Sequence, residues 1–161
     1  MEPVIVILET THIVGFVLHT TSEDGRNIRD IRDFWASYNR GGLAGRLGAL
    51  PGIVSRDEYG ICVHPDMDSA EFDYVIGVAV SDPDAAPADL YRLDLAPCRY
   101  AVFESPSLDA IPGTWRFILH EWFPTSGYEF ASGHPDFERY RILPGKDMPT
   151  CDIYVPVVAD T

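Results

Sequence analysis

The chain has 161 residues, of which 46% are hydrophobic and 23% are charged, and these proportions indicate a folded domain rather than a disordered chain. Its 12 Lys and Arg residues are outnumbered by 25 Asp and Glu residues, for a formal net charge of -13. A surface this acidic repels phosphate backbones, so we expect no direct binding of nucleic acid. No apolar run reaches the roughly 18 residues of a membrane helix, and the acidic start lacks a signal-peptide pattern, so we expect a cytoplasmic protein.

The first half of the chain predicts one helix among four strands. The segment 28–47 predicts the helix, since Ile28, Ile31 and Trp35 recur in it at the spacing of one buried face. The pair Gly41-Gly42 is expected to bend or end this helix. Runs of apolar and β-branched residues predict the strands at Val4–Leu8, 12–19, 59–64 and 72–80.

The same order of elements begins again after a polar, proline-bearing linker at 81–89. The segment 108–123 predicts a helix with Trp115 and Trp122 on one face. Strands are predicted at 90–93, 98–104, 137–142 and 152–158.

The chain therefore predicts an α+β fold built from a duplicated βαββ unit. Half 1 covers about 3–80 and half 2 about 90–158, and together they make one domain over 1–161. A pseudo-two-fold axis is the arrangement that best buries both units. We expect a ligand cleft where the halves meet, since such junctions commonly hold ligands.

Sequence motifs of common enzyme and metal sites are absent. The chain lacks the serine-hydrolase, zinc-protease, P-loop and dinucleotide-binding patterns. Its five histidines are scattered, and its three cysteines are widely spaced with no paired CxxC motif. We therefore expect no bound metal and no cofactor.

An acidic residue among aromatic residues is the most informative feature. In the strand at 137–142, alternation places Glu138 and Tyr140 on one face. A carboxylate ringed by aromatic side chains can bind a flat organic cation, because each ring adds a cation–π attraction of about 0.5–2 kcal/mol. The aromatic residues on neighbouring segments are Trp35, Tyr59, Tyr74, Trp115 and Trp122. Alternatively, Glu138 is an exposed strand residue paired with Arg139 or Arg141, and the aromatic rings only fill the core.

A pair of carboxylates is a second candidate feature. Glu104 ends the strand at 98–104 and is expected to approach Glu138 across the cleft, while Glu58 is the equivalent of Glu138 if the repeat holds. Two carboxylates in an apolar pocket raise one pKa and permit acid–base catalysis. Unrelated surface acids would explain the same residues.

The order and spacing of several segments resemble the GyrI-like small-molecule-binding family, which is also the effector-binding domain of AraC/Rob-type and MerR-type bacterial multidrug regulators. The matching segments are 59–61, 72–78, 97–104, 111–115, 121–128, 137–140 and 153–157. The resemblance implies a doubled βαββ fold of the SHS2 or SOUL-like type with a pocket between the halves. It also implies that Glu138 is the acidic residue deep in that pocket, with Tyr74, Phe103, Trp115 and Trp122 on pocket-lining segments.

The family resemblance leaves three functions open. The first is a stand-alone module that binds lipophilic aromatic, cationic small molecules, since the first strand begins near residue 3 and leaves no room for a DNA-reading helix-turn-helix. In it Glu138 neutralises the ligand, Tyr74, Trp115 and Trp122 stack on it, and Trp35 and Tyr140 shape the walls. The second is a hydrolase that opens cyclopropane rings of electrophilic natural products, with Glu138, alone or together with Glu104, activating water.

The third function is an acidic protein-interaction module whose partner is a gyrase or a separate regulator. It requires the acids of one turn and the linker to form a single ridge rather than a dispersed surface. Those acids are Asp66, Asp68, Glu71, Asp82, Asp84 and Asp89.

Overall fold

The first half of the chain forms four strands and two helices. The structure is a computed structural model and describes residues 1–159. The strands are β1 (Val4–Leu8), β2 (Thr11–Thr21), β3 (Glu58–Val63) and β4 (Glu71–Val80). Helix α1 (Arg26–Arg40) is followed by the short helix α2 (Leu43–Gly48). Gly42 separates them with a left-handed φ of 79°, a conformation that glycine adopts without steric cost.

The second half repeats this order with an interrupted helix. Its strands are β5 (Tyr91–Leu95), β6 (Cys98–Ser105), β7 (Tyr128–Phe130), β8 (Asp136–Arg141) and β9 (Thr150–Ala159). Helix α3 (Ile111–Phe117) passes through a π-helical turn (Ile118–Trp122) into α4 (Phe123–Ser126). The regular helical bond pattern breaks just before Pro124, which has no amide hydrogen to donate. The sequence predicted one unbroken helix here and did not predict β7.

The main sheet is antiparallel and has the order β1-β6-β9-β8-β3-β4-β2-β5, with β7 paired to β9 beside it. Strands β3 and β8 lie at its centre, so the two halves meet there. The first strand of each half is exchanged: β1 pairs with β6, and β5 pairs with β2. This exchange ties the halves together, and the predicted α+β fold with a doubled βαββ unit is confirmed.

The two faces of the sheet are packed differently. On the helix face, α1 covers one core that includes Tyr38 and Ile76, and α3 covers another that includes Phe103 and Ile153. On the far face, a single core runs across both halves. Partly buried side chains of both edge strands pack against this core, so the open sheet curls around it. Among the described residues, no helix is both long and apolar enough to cross a membrane.

Candidate functional site

Glu138 lies at the centre of the sheet, where the two halves meet. It is on β8 directly opposite Gly60 of β3 and Ile153 of β9. Its half-buried side chain is on the helix face, between α1 and α3. Strand alternation places Tyr140 on the same face, as the sequence predicted. The duplication therefore positions one carboxylate close to the pseudo-two-fold axis.

Two hydrogen bonds hold the Glu138 carboxylate. The indole Nε1 of Trp115, from α3, donates to Oε1 at 3.1 Å. The hydroxyl of Tyr140 donates a short hydrogen bond to Oε2. Burial is the main cause that raises the pKa of Tyr140, followed by the charge of Glu138, so this phenol stays a donor near neutral pH. The arrangement orients a negative charge without neutralising it.

The charge of Glu138 has no ion-pair partner among residues 1–159. Arg139 binds Asp57 at 2.7 Å, and Arg141 binds Asp152 at 2.7 Å. Both arginines point to the far face, because they alternate with Glu138 along β8. The alternative in which one of them neutralises Glu138 is therefore wrong.

Tyr74 forms the floor beside Glu138. Trp35 of α1 donates from its indole nitrogen to the Tyr74 hydroxyl at 2.9 Å. The pKa of Tyr74 is raised well above its usual value, mainly by burial and then by the nearby charge of Glu138. A Cβ at Gly60 would lie 2.1 Å from the Tyr74 hydroxyl oxygen, so only glycine at this position leaves room for the phenol.

The space next to these residues, which we name the central cleft, has a volume of about 500 Å³. Trp35 and Tyr140 form an aromatic corner in it, with their ring centroids 5.2 Å apart and nearly perpendicular. Leu108 and Ile111 border it where α3 begins, and Met148 borders it from the β8–β9 connection. Glu58 is the acid among the lining residues, and Glu138 adjoins the cleft through Tyr140, which donates a hydrogen bond to it. Apolar and aromatic walls beside carboxylates suit a lipophilic cation better than a polar neutral molecule.

A second acid, Asp136, lies near Glu138 on the helix face of the sheet. Asp136 is two residues before Glu138, so both side chains share that face. Burial, with a smaller contribution from Glu138, raises the pKa of Asp136 from 3.8 to about 7. Asp136 therefore holds its proton far more readily than an exposed carboxyl.

The structure brings together five of the predicted site residues. These are Glu138, Trp115, Tyr140, Trp35 and Tyr74. The Glu58 side chain also lines the central cleft. Glu58 opposes Tyr140 and Gly60 opposes Glu138, so a local two-fold axis at the pair of Tyr59 and Arg139 exchanges the two acids, which agrees with the predicted equivalence.

Three other predicted site residues, all aromatic, lie outside the cleft. Phe103 and Trp122 are buried under α3, where their ring centroids are 5.0 Å apart. Tyr59 is buried in the far-face core, because it is adjacent to Gly60 and alternation turns it away from the cleft.

Glu104 does not approach Glu138. In the sheet it opposes Asp152, whereas Glu138 opposes Ile153, so the two acids face opposite sides. Glu104 is exposed on the far face. The expected pair of carboxylates does not form, and the hydrolase alternative is left with Glu138 and without Glu104.

The acids that an interaction module would need in one ridge are divided between two places. Asp66, Asp68 and Glu71 lie at one end of β4, and the linker acids follow its other end, about 30 Å away for a strand of 10 residues. Asp84 and Asp89 are paired with Arg92 and Arg46. These acids form no single ridge.

Several cleft residues were not predicted from the sequence. Asn39 follows Trp35 by four positions on α1, and that spacing is a usable signal for a shared helical face. Ile142 ends the strand predicted at 137–142, and Met148 and Pro149 belong to the connection between β8 and β9, for which no site residue was predicted. Within the described part of the chain no three His, Cys, Asp or Glu side chains group in a way that could hold a metal ion.

The chain is similar to known proteins over nearly its whole length. A profile of the Cass2 family, described as integron-associated effector binding protein, matches residues 4–157. Among the solved structures, SAV2435 bound to tetraphenylphosphonium has a TM-score of 0.81 at 20% identity, over 98% of this chain and 94% of that one. No curated protein matches the sequence.

Two further solved structures share the fold. The integron cassette protein VCH_CASS2 from the mobile metagenome of Vibrio cholerae has a TM-score of 0.66 at 17% identity, over 98% of this chain and 96% of that one. The C-terminal domain of EcmrR has a TM-score of 0.65 at 11% identity, over 98% of both chains. The predicted GyrI-like effector-binding resemblance is confirmed, and the chain belongs to the Cass2 family of integron-associated effector-binding proteins.

Proposed function

We propose that this protein binds lipophilic aromatic cations in the central cleft, with Glu138 as the counter-charge. The observation that carries the proposal is the state of the Glu138 carboxylate. Trp115 and Tyr140 hold it in place, and no cationic side chain among residues 1–159 pairs with it. A half-buried carboxylate of this kind gains a charge partner only when a cation enters.

The walls of the cleft support the same ligand class. Trp35 and Tyr140 offer ring faces and edges next to the acid, and Leu108 and Ile111 add apolar surface. Cation–π contacts and apolar burial tolerate many ligand shapes, so we expect broad selectivity and modest affinity. SAV2435, which shares the fold, is described with tetraphenylphosphonium bound, and that compound is a lipophilic aromatic cation.

A titration with two ligands of similar bulk tests the proposal. Isothermal titration calorimetry would compare tetraphenylphosphonium with uncharged triphenylphosphine oxide. The Glu138→Gln variant is expected to weaken binding of the cation at least about tenfold, a change of about 1.4 kcal/mol. Binding of the neutral compound should change little, because its apolar and aromatic contacts remain.

Glu129→Gln is the matched control. Glu129 is exposed on β7, so this substitution removes the same unit of charge at a position outside the cleft. It should bind both compounds as the wild type does. If Glu138→Gln binds tetraphenylphosphonium as tightly as Glu129→Gln, the counter-charge role is wrong.

A further inference from the structure

The central cleft continues into a second space, which we name the outer hollow. The outer hollow has a volume of about 570 Å³ and lies between α2 and the sheet. Glu58 and Ile142 line both spaces, so they adjoin. Gly45 and Gly48 of α2 border the hollow, and a Cβ on either would meet no atom within 4 Å, so this side is open.

Glu58 is a second unneutralised carboxylate at this junction. It is half-buried on β3 and forms no ion pair with any of residues 1–159. Arg56 borders the same outer hollow, yet its exposed guanidinium is not paired with Glu58. Glu58 opposes Tyr140 and Glu138 opposes Gly60, so the two acids are diagonal neighbours on one face, with Cβ atoms about 7–8 Å apart.

The hydroxyl of Tyr38 lies next to the Glu58 carboxylate in the outer hollow. Tyr38 is only 1% exposed, it lines the outer hollow, and its hydroxyl has no hydrogen-bond partner in the described part of the chain. Burial raises the pKa of Tyr38, and the nearby Glu58 carboxylate raises it further. A buried donor without a partner has a free-energy cost that a bound state can remove.

The aromatic residues repeat one arrangement at both acids. Trp35 lies between two tyrosines, with ring centroids 5.2 Å from Tyr140 and 5.6 Å from Tyr38, each in an edge contact. Tyr140 donates to Glu138, and Tyr38 lies beside Glu58. A flat ligand against Trp35 therefore has one carboxylate near each end.

We propose that the central cleft and the outer hollow together form a site for aromatic dications, in which Glu138 neutralises one cationic group and Glu58 the other. This inference rests on the proposed function and assigns Glu58 and Tyr38 to it. On binding, Glu58 turns to the second cationic group and accepts a hydrogen bond from the Tyr38 hydroxyl. A single cation leaves Glu58 unpaired, so a dication of the same shape binds more tightly.

Two ligands that differ in one charge test this inference. 1-Methyl-4-phenylpyridinium is a flat two-ring monocation, and 1,1'-dimethyl-4,4'-bipyridinium is a flat two-ring dication of nearly the same size. By calorimetry, the wild type is expected to bind the dication at least about tenfold more tightly than the monocation. Glu58→Gln should remove most of that preference, because it weakens the dication far more than the monocation when the second charge loses its partner.

Three further variants separate this inference from the proposed function. Glu138→Gln should weaken both ligands, whereas Tyr38→Phe should lower only the preference for the dication and Glu129→Gln should change neither. A wild type that binds both ligands equally, or a Glu58→Gln variant that keeps the full preference, overturns the dication site and leaves the role of Glu138 standing. If Glu138→Gln binds the monocation as the wild type does, the proposed function fails as well.

Discussion

Successive residues of β8 carry charges that the two faces of the sheet stabilise in opposite ways. On the far face, Arg139 and Arg141 each have a carboxylate partner at 2.7 Å. On the helix face, Glu138 receives two hydrogen bonds but no cation among residues 1–159. The same strand therefore contains charges balanced within the chain and one charge left for a ligand.

This difference separates stability from binding. We expect the ion pairs on the far face to matter for stability, because removal of one partner would leave the other charge buried and unpaired. The charge on the helix face is expected to contribute little to the fold and much to ligand affinity. Substitutions on the two faces should therefore change the free energy of unfolding by different amounts.

Arg141→Leu should destabilise the protein most. Asp152 is only 7% exposed, and the substitution leaves its carboxylate without the Arg141 partner. We expect the free energy of unfolding to fall by about 2–4 kcal/mol. Urea denaturation followed by circular dichroism measures it, with exposed Arg99→Leu as the control, expected within about 0.5 kcal/mol of the wild type. Equal losses in the two variants would contradict the prediction.

Gly60→Ala should damage both the fold and the cleft. The new Cβ would lie 2.1 Å from the Tyr74 hydroxyl oxygen, so the buried phenol and its bond from Trp35 must move. We expect a loss of about 1–3 kcal/mol in the free energy of unfolding and weaker binding of tetraphenylphosphonium. Gly113→Ala on α3 meets no atom within 4 Å and serves as the control. A Gly60→Ala variant as stable as Gly113→Ala would show that Tyr74 is not held at this position.

Asp136 should give the stability a pH dependence of its own. Its pKa is raised from 3.8 to about 7, so the folded state favours the protonated carboxyl. The resulting contribution to the free energy of unfolding is complete below pH 3.8 and is lost as the pH rises through about 7. Asp136→Asn should remove a decline of about 1–3 kcal/mol across that window. Urea denaturation at several pH values measures the difference. Parallel stability curves for wild type and variant would contradict it.

Glu138→Gln should change the stability least. The neutral amide loses two charge-assisted hydrogen bonds, but the cost of holding an unpaired charge away from water is removed as well. We expect the free energy of unfolding to stay within about 1 kcal/mol of the wild type. A loss as large as that of Arg141→Leu would show that the charge of Glu138 serves the fold.

Local pattern was enough to predict part of the site. Strand alternation places Glu138 and Tyr140 together, and helical spacing places Trp115 on an inward face, because both depend only on neighbours along the chain. Tyr59 and Glu104 were misplaced, since their faces relative to Glu138 depend on the register of β3, β6 and β9. Register is set by long-range pairing that one sequence does not reveal.

The fold shows the same division between local and long-range information. The order of strands and helices was predictable from periodicity and turns, and the bounds of β1 agree with the prediction. The exchange of β1 and β5 between the halves was not, because it depends on which distant strand each one meets. Tyr38 was not predicted as a site residue for a related reason. The way in which α1 lies over the sheet decides which of its residues line the outer hollow.

A crystal structure of the complex with tetraphenylphosphonium would show whether Glu138 is the counter-charge of the bound cation. We expect the phosphonium in the central cleft, against Trp35 and Tyr140, with the Glu138 carboxylate turned to it and Arg139 still bound to Asp57. A cation bound elsewhere, or a cleft in which Glu138 is paired with an arginine of the chain, would contradict this expectation.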